Sequence, residues 1–283
     1  MNYRHAFHAG SFADVLKHAV LCRVLLHLRL KPTPFRVLDT HGGAGVYDLA
    51  GTQATRGGEW RDGIARLREA RPGPAAAALL APYLDTIAAL NPVGPAISRY
   101  PGSPVLAQAW LRPQDRLVAC ETEPMAAAAL GRALAGDRRC KMLQRDGWTA
   151  LRAQLPPPER RGIVVIDPPF EQPDEFARLT HDVAAAHRKW PTGIYLLWYP
   201  VKDRHGPDSL TKGLQRLAVA KLLRAELTIG GGSPGRLNRC GLIVINPPWT
   251  LESELAVMLP ALVDCLSARS TGGYRLDWLG REK

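Results

Sequence analysis

Short runs of aliphatic and β-branched residues, each bounded by turn-forming residues, recur along the chain with room for helices between them. Runs of roughly four to eight apolar residues are typical of strands buried on both faces of a sheet. Seven strands are predicted in this way: Phe35 to Asp39, Arg116 to Glu121, Lys141 to Arg145, Gly162 to Asp167, Gly193 to Tyr199, Leu223 to Ile229 and Cys240 to Asn246.

The segments between these runs predict how the strands are connected. Helix-like stretches such as Glu123 to Ala135 and Pro173 to Lys189 separate the first five runs, which favours right-handed crossovers and a mainly parallel sheet. Only the glycine-rich loop Gly230 to Asn238 joins the last two runs, so an antiparallel hairpin is predicted there. This α/β pattern resembles the Rossmann-like fold of class I methyltransferases, whose usual strand order is 3-2-1-4-5-7-6.

One interval is too long for a simple crossover, which needs about a few tens of residues at most. The 76 residues between Asp39 and Arg116 include an alanine-rich stretch, 51–98, with apolar positions at helical spacing and prolines between them. We predict a single methyltransferase domain over residues 1–283, with a helical subdomain inserted at 51–98. A further helix, Ser11 to Leu30, is predicted before the first strand.

The chain is basic, with 37 Lys and Arg against 26 Asp and Glu and a formal net charge of +11. This balance fits a polyanionic partner such as nucleic acid. The best apolar stretch, Ala19 to Leu28, contains Arg23 and His27 and falls short of the roughly 20 apolar residues that span a bilayer. The sequence also shows no secretory signal, and its five cysteines form no CxxC pair, so we expect a cytoplasmic protein without a metal site.

The string Asp167-Pro168-Pro169-Phe170 follows a buried run directly. It resembles the (D/N)PP(Y/F) motif of methyltransferases that modify exocyclic amino groups of bases. An adenine N6 lone pair is delocalised into the ring, so the amine is a poor nucleophile until acceptors hold its hydrogens. The Asp167 carboxylate and the Pro168 carbonyl supply acceptors, and the carboxylate stabilises the positive charge that develops on N6. Phe170 offers a face on which an extruded base can stack.

A second string of the same type, Asn246-Pro247-Pro248-Trp249, ends the last predicted strand. Ligands of open α/β sheets bind at the carboxyl ends of the parallel strands, where the strand order reverses. Asp167 ends the strand beside the first one and therefore lies in that region. Asn246 ends an antiparallel strand and lies at the opposite edge, so it is predicted to be a structural turn.

Residues 39–45, DTHGGAG, form a glycine-rich loop after the first strand. This loop resembles methyltransferase motif I, which holds the methionine part of S-adenosylmethionine. A dinucleotide site is the rival interpretation, but the GxGxxG pattern fails because Val46-Tyr47-Asp48 follows the last glycine.

Acidic residues stand at the carboxyl ends of the next two predicted strands. Glu121 can accept hydrogen bonds from both ribose hydroxyls of a nucleoside cofactor, with Glu123 as its competitor. Asp146-Gly147 ends the third strand, where it can address the adenine of the cofactor. For each acid alone, a loop or helix-cap role fits equally well.

Together these strings are similar to the RlmJ family of 23S rRNA (adenine-2030-N6)-methyltransferases. The similarity spans nearly the whole chain and is carried by YRHAFHAG at 3–10, ADVLKH at 13–18, DTHGGAG at 39–45, YPGSP at 100–104, DPPF at 167–170, WYP at 198–200 and NPPW at 246–249.

The resemblance implies S-adenosylmethionine as the cofactor and 23S rRNA as the partner, and we expect a monomer. The residues expected to bind the cofactor are His18, His41, Gly43, Ser103, Glu121, Asp146, Gly147 and Asp167. Asp167, Pro168 and Phe170 form the expected catalytic set.

Residues near the N-terminus are candidates for RNA contact. The resemblance implies that Tyr3 lies near the RNA, and with Arg4 and His5 it forms either a basic, aromatic flap over the target base or a frayed terminus. Lys17 is expected to neutralise a phosphate.

Two other functions fit the same sequence. One is a noncatalytic RNA-binding protein with a degenerate methyltransferase fold, which cofactor binding would exclude. The other is an adenine methyltransferase acting on DNA, which the lack of a recognisable target-recognition domain disfavours.

Overall fold

Strands and helices alternate along most of the chain. The computed structural model describes residues 4–93, 96–217, 219, 221–231, 236–267 and 271–280. Its strands are β1 (Arg36–Asp39), β2 (Val46–Asp48), β3 (Arg99–Pro101), β4 (Arg116–Glu121), β5 (Cys140–Gln144), β6 (Gly162–Ile166), β7 (Ile194–Pro200), β8 (Leu222–Thr228), β9 (Arg239–Ile245) and β10 (Gly273–Trp278).

The helices include one 3-10 helix, His5–Phe7, and one π-helix, Arg61–Ala65. The α-helices are α1 (Phe12–Arg29), α2 (Thr52–Gly57), α3 (Arg66–Glu69), α4 (Pro74–Leu90), α5 (Ser103–Ala109), α6 (Pro124–Ala133), α7 (Gly147–Ala153), α8 (Glu175–Lys189), α9 (His205–Gln215) and α10 (Leu251–Leu266). Within the ranges described above, no helix is long and apolar enough to cross a membrane.

Eight strands form the central sheet, in the order β10-β8-β9-β7-β6-β1-β4-β5. Neighbouring strands from β7 to β5 are parallel, whereas β9 is antiparallel to both β7 and β8. The central strand β6 is buried at all five positions, as expected for a parallel strand covered on both faces. The seven predicted strands therefore lie in the predicted order, and the predicted hairpin is confirmed, although loop positions 232–235 lie outside the described residues.

Helices cover both faces of the sheet. One core contains side chains of α1, α4, α5 and α10, and the other contains side chains of α7, α8 and α9. Helix α1 is buried at 14 of its 18 positions, so polar residues on it are held inside the protein. The Ser11 hydroxyl accepts a hydrogen bond from the Asp14 amide (3.5 Å) and caps this helix.

The predicted inserted segment, 51–98, contains α2, the π-helix, α3 and α4. The three-residue strands β2 and β3 pair antiparallel on either side of it. Helix α4 packs against α1 and α10, and its Tyr83 is fully buried in the same core as α1. These helices extend the main core, and the division into one domain and an inserted subdomain stays a prediction. Positions 94–95 lie outside the described residues.

The prediction of seven strands is wrong by one in the central sheet. Strand β10 pairs antiparallel with β8 at the sheet edge, and its six residues are all partly or fully exposed. Because an edge strand of this kind mixes apolar and polar side chains, it gives no continuous apolar run in the sequence. The β2 and β3 pair was also not predicted, since three residues are too few to show a period.

Candidate active site

A cavity of about 400 Å³ lies at the carboxyl edge of the sheet. Its wall includes the segments that follow β1, β4 and β6, one face of α1 and the start of α5. Six of the eight residues predicted to bind a cofactor line it: His18, His41, Gly43, Ser103, Glu121 and Asp167. The sheet therefore brings together positions that are up to 149 residues apart in the sequence.

The remaining predicted residues divide into three groups. Arg4, His5 and Lys17, which were predicted to contact RNA, also line the cavity. Those not among its lining residues are Asp146, Gly147, Pro168 and Phe170. Tyr3 lies outside the described residues.

Lys17 joins the candidate catalytic carboxylate to a second acid. Its ammonium donates a short hydrogen bond to the Asp167 carboxylate and lies 2.8 Å from Asp14 Oδ1. Burial opposes the charge on Lys17, but the two carboxylates raise the pKa of Lys17 well above its ordinary value. Lys17 therefore stays charged and fixes the position of Asp167, whose side chain is 15% exposed.

Asp14 connects this pair to the N-terminal segment. Its Oδ2 accepts hydrogen bonds from the Gly10 amide (2.9 Å) and lies 3.0 Å from His5 Nε2. Although burial opposes ionisation, the charge on Lys17 lowers the pKa of Asp14 well below its ordinary value. The His5 ring also lies 5.1 Å from the Tyr47 ring, centroid to centroid. His5 is thus held at the cavity wall by a buried, ionised acid and an aromatic ring.

His18 lines the cavity, and a chain of two buried tyrosine hydroxyl groups contacts its ring. Its Nδ1 lies 2.7 Å from the Tyr100 hydroxyl, which lies 2.9 Å from the Tyr83 hydroxyl. Burial lowers the pKa of His18 to about 3, so the ring is neutral at physiological pH. If Tyr100 donates to Nδ1, Nε2 carries the remaining proton. Nε2 is buried and has no hydrogen-bond partner among the described residues, so it is a donor available to a ligand.

Glu121 holds the glycine-rich loop in place. Its Oε2 accepts a hydrogen bond from the Gly43 amide (2.9 Å), and its Oε1 accepts from the Thr122 (2.7 Å) and Glu123 (2.9 Å) amides. Each carboxylate oxygen has two lone pairs and three of the four are used, so Oε2 can still accept a hydrogen bond from one ribose hydroxyl. Gly43 has φ +59°, and a Cβ there would lie 2.0 Å from the Tyr47 hydroxyl, so this conformation of the loop favours glycine. Glu123, the alternative candidate for binding the ribose, caps α6 instead, because its carboxylate accepts a hydrogen bond from the Ala126 amide (2.6 Å).

Asp39 is a second buried acid, at the end of β1. Its Oδ1 accepts a hydrogen bond from the His41 amide (3.2 Å), whereas Oδ2 is buried without a partner in the part of the chain described. Burial raises the pKa of Asp39 to about 6, against the opposing effect of the Ser103 hydroxyl. Asp39 is not among the residues that line the cavity, but it contacts His41 and Ser103, which are.

The pair Asp146-Gly147 has a structural role beside the cavity. Asp146 caps α7, because its Oδ2 accepts from the Thr149 amide and hydroxyl, both at 2.9 Å. A Cβ at Gly147 would lie 2.0 Å from the Thr40 carbonyl oxygen, so the glycine lets α7 approach the loop after β1. The centroid of the neighbouring Trp148 ring lies 5.4 Å from the centroid of the His41 ring. Cofactor contact by Asp146 and Gly147 stays a prediction.

Phe170 packs against protein side chains in this structure. It has φ +50°, an uncommon value for a residue other than glycine, and is half-buried. Its ring lies 4.7 Å from Phe176 and 5.8 Å from Trp198. Pro168, two residues earlier in the chain, is buried. Stacking of a base on Phe170 therefore stays a prediction.

The second motif of this type, NPPW at residues 246–249, lies at the predicted edge of the sheet, opposite Asp167. Strand β9 runs antiparallel to β7, so Asn246 follows it at the edge opposite Asp167. The Asn246 side-chain amide donates to the carbonyl oxygens of Pro191 (2.7 Å) and Gly193 (2.8 Å). Asn246 is therefore a structural turn residue.

Several residues of the site carried no assigned role in the sequence. They are Asp14, Asp39, Tyr47, Tyr83 and Tyr100. The contact of Asp14 with Lys17 could have been predicted from the sequence. Residues three and four positions apart on a helix are neighbours, and Lys17 and His18 follow Asp14 at these spacings. Tyr83 had none, because it lies in the inserted segment, far along the chain from the residues it contacts, Tyr100 and His18.

The order of strands and the position of the acid-Pro-Pro-aromatic turn define the class of protein: this is a Rossmann-like methyltransferase fold with its site at the carboxyl edge. A solved structure of a probable spermidine synthase from Corynebacterium glutamicum shares the fold at 12% identity, with a TM-score of 0.50, over 94% of this chain and 75% of that one.

Comparison with known families identifies the group within this class. Residues 32–280 match the family described as "Ribosomal RNA large subunit methyltransferase D, RlmJ", and the chain belongs to this family. It is 37% identical to "Ribosomal RNA large subunit methyltransferase J" of Haemophilus influenzae, over 100% of both chains. It is 38% identical to the Escherichia coli protein of the same name, over 99% of both.

A solved structure supports the architecture over nearly the whole chain. A crystal structure of a protein from Legionella pneumophila has a TM-score of 0.87 and 34% identity to this chain. The match covers 96% of this chain and 98% of the Legionella chain. The fold, including the segment between β1 and β4, is therefore shared with a protein solved by crystallography.

Proposed function

We propose that this protein transfers a methyl group from S-adenosylmethionine to N6 of adenine 2030 in 23S rRNA. Membership of the family supports an rRNA methyltransferase, and the residue number of the nucleotide rests on the resemblance alone. The observation that carries the proposal is the Asp167 carboxylate, held by Lys17 in the wall of a cavity that also contains Glu121 and His18.

The cavity offers groups that fit the donor. The unpartnered Nε2 of His18 suits a carboxylate, and Glu121 suits a ribose hydroxyl. Gly43 and its neighbours in the loop keep the backbone close to the cavity. When bound there, S-adenosylmethionine supplies an electrophilic methyl group on a sulfonium.

Asp167 and Pro168 act on the target amine. Their oxygens accept hydrogen bonds from the two N6 hydrogens, which localises the lone pair on N6 and directs it at the methyl group. As the N–C bond forms and the C–S bond breaks, positive charge develops on N6 beside the Asp167 carboxylate. N6 then loses a proton, for which that carboxylate and water are the acceptors.

Lys17 takes a different role in this proposal from the phosphate contact expected of it. It is 3% exposed and its ammonium faces Asp14 and Asp167, so it acts as a positioning residue for the catalytic carboxylate. His5 and Arg4, which line the cavity, stay candidates for contact with the RNA. We further propose a cytoplasmic monomer, which sedimentation of the purified protein would test.

Methylation of transcribed 23S rRNA tests this function directly. The purified protein is incubated with unmodified 23S rRNA and labelled S-adenosylmethionine, and the product base is mapped by mass spectrometry of rRNA fragments. We expect one N6-methyladenine, at position 2030. A different adenine would contradict the target, and a different modified atom would contradict the chemistry.

Two parallel measurements separate the alternative functions. Duplex DNA of the same sequence is expected to give no product, and methylation of DNA in preference to rRNA would favour a DNA enzyme. Calorimetric titration with S-adenosylmethionine is expected to show binding. Absence of both binding and methyl transfer would favour a noncatalytic RNA-binding protein.

A further inference from the structure

The turn at residues 246–249, NPPW, is held rigidly at the edge of the sheet opposite the active site. Asn246 adopts φ +53°, and its side chain donates to the carbonyl oxygens of Pro191 and Gly193. Its backbone amide donates to the Lys221 carbonyl oxygen (3.0 Å). Three hydrogen bonds and two prolines thus fix a turn that the proposed reaction does not use.

This turn presents an aromatic ring to solvent. Trp249 is 84% exposed, although Pro248 beside it is buried. Trp278 of β10 is 41% exposed and lines the same hollow, whose volume is about 530 Å³. Two accessible indoles on one surface of a rigid edge are an arrangement that marks a binding surface.

The charges around the hollow have one sign. The cationic residues Lys31, Arg161 and Lys221 line it, and no acidic residue is among the lining residues that the structure describes. Lys31 and Lys221 are exposed and form no ion pair with any described residue. Arg161 donates to the carbonyl oxygens of Leu28 (2.5 Å) and Thr33 (3.1 Å) and forms no ion pair within 4 Å of a described carboxylate.

We infer that this hollow binds unpaired nucleotides of the RNA substrate, with a base stacked on Trp249 and phosphates beside Lys31 and Lys221. Aromatic faces combined with a cationic rim are the chemistry by which proteins hold single-stranded nucleic acid without reading its sequence. The inference rests on the proposed function for its choice of RNA.

The position of the hollow determines which RNA can reach it. Strand β7 spans seven residues between the two edges of the sheet, a length of about 20 Å. An RNA fragment that only fills the active site therefore does not reach Trp249. A longer transcript, with nucleotides beyond the stem that carries the target adenine, can occupy both sites and gain affinity from the second contact.

Binding measurements with two RNA lengths test this inference. Dissociation constants of the full-length protein are measured by fluorescence anisotropy, for a short stem-loop carrying the target adenine and for a transcript extended by flanking single strands. We expect Trp249→Ala to weaken binding of the long transcript roughly tenfold, the loss of one base stack. Binding of the short stem-loop is expected to change less than twofold.

A salt titration tests the lysines independently of Trp249. For Lys31→Ala combined with Lys221→Ala, the slope of log K against log salt is expected to fall by roughly 0.7 per lysine for the long transcript. Lys212→Ala is the matched control, because Lys212 is exposed on α9 and does not line the hollow. Thermal unfolding of each variant checks that the fold is intact.

The outcomes separate this inference from its rivals. Unchanged affinity of Trp249→Ala and of the lysine variant for the long transcript would overturn it. Equal weakening with both RNA lengths would also overturn it, because the surface would then not be a separate site. A protein dimer that Trp249→Ala converts to monomer, with RNA affinity unchanged, would assign the hollow to a second copy of the chain. Because only binding is measured, these results do not depend on methyl transfer.

Discussion

The two turns DPPF and NPPW have nearly the same sequence and opposite arrangements. In the first, Asp167 faces the cavity and Phe170 packs against Phe176 and Trp198. In the second, Asn246 bonds to backbone carbonyls inside the protein and Trp249 is 84% exposed. Each has one residue with φ near +50°, at the aromatic position in DPPF and at the amide in NPPW.

Strand direction explains the difference. Strand β6 is parallel to β1, so its carboxyl end meets the ligand-binding edge, whereas β9 is antiparallel to β7 and ends at the other edge. The groups present at each edge then determine what Asp167 and Asn246 bind. At one edge Asp167 meets the buried ammonium of Lys17, and at the other Asn246 meets free carbonyl groups of the α8–β7 connection.

The largest difference between the turns should appear when the polar residue of each is replaced by alanine. We expect Asp167→Ala to lower kcat for rRNA methylation roughly 10³-fold, because the amine loses the acceptor that stabilises its developing charge. Its affinity for S-adenosylmethionine, measured by calorimetry, should change far less.

Asn246→Ala is the matched control. It should keep methyl transfer to a short stem-loop and lower the free energy of unfolding by about 1–3 kcal/mol, because two carbonyl groups lose their donor. Near-normal turnover of Asp167→Ala, or loss of chemistry in Asn246→Ala, would remove the functional distinction between the turns.

The second prediction concerns Lys17, which has no counterpart beside Asn246. Lys17→Met should lower kcat about 10²-fold, because Asp167 loses the group that orients it. The variant should also lose about 3–5 kcal/mol of stability, because buried Asp14 loses the ammonium group that balances its charge.

Adding Asp14→Asn to Lys17→Met separates these two effects. The double variant should recover much of the stability, measured by urea unfolding, without recovering kcat. Recovery of activity together with stability would show that Lys17 supports only the fold. Lys212→Met, on the exposed side of α9, serves as the control for loss of one positive charge.

The pH dependence of stability should distinguish the two edges. Burial lowers the pKa of His18 to about 3, so the unfolded chain binds its proton more readily. This contribution to stability is present above about pH 6.5 and is lost as pH falls toward 3, by up to roughly 1.4 kcal/mol per pH unit.

Urea unfolding at pH 7 and pH 5 measures this contribution. The loss of stability between the two values should be smaller in His18→Asn than in the unmodified protein. Burial also lowers the pKa of His27, at the opposite edge, but that ring is only partly buried. His27→Asn should therefore change the pH dependence less, and an equal change would contradict the difference between the edges.

The smallest expected effect concerns the aromatic of the first turn. If Phe170 stacks on the target base, Phe170→Ala should lower kcat/KM about tenfold, and Phe170→Tyr should keep it near the original value. If Phe170 only packs against Phe176 and Trp198, both kcat/KM values should follow the folded fraction measured by circular dichroism. That second result would limit the chemistry of the turn to Asp167 and Pro168.

The apolar runs predicted seven strands of the central sheet, and the resemblance to class I methyltransferases supplied their order. The resemblance to one family also implied the cofactor candidates, six of which line the cavity. Runs such as 162–166 are buried on both faces, so their composition reports their position directly. Strand β10 escaped prediction because it is an edge strand with polar residues among its apolar ones. The hydrogen-bonded chain from Tyr83 through Tyr100 to His18 was not predicted either. Tyr100 is 17 residues from Tyr83 and 82 residues from His18, and no periodic pattern in a sequence connects such positions.

The sequence by itself determined the class of fold, the carboxyl-edge site and the resemblance to one methyltransferase family, because these depend on local runs and short strings. Tertiary structure alone decided the use of each polar residue. The sequence predicted that Lys17 contacts a phosphate, but its buried ammonium pairs with Asp14 and Asp167. The sequence left a helix-cap role open for Asp146, and the structure shows that cap. The physical reason is that the charge state and the free hydrogen-bonding capacity of a side chain depend on neighbours that folding brings from distant parts of the chain.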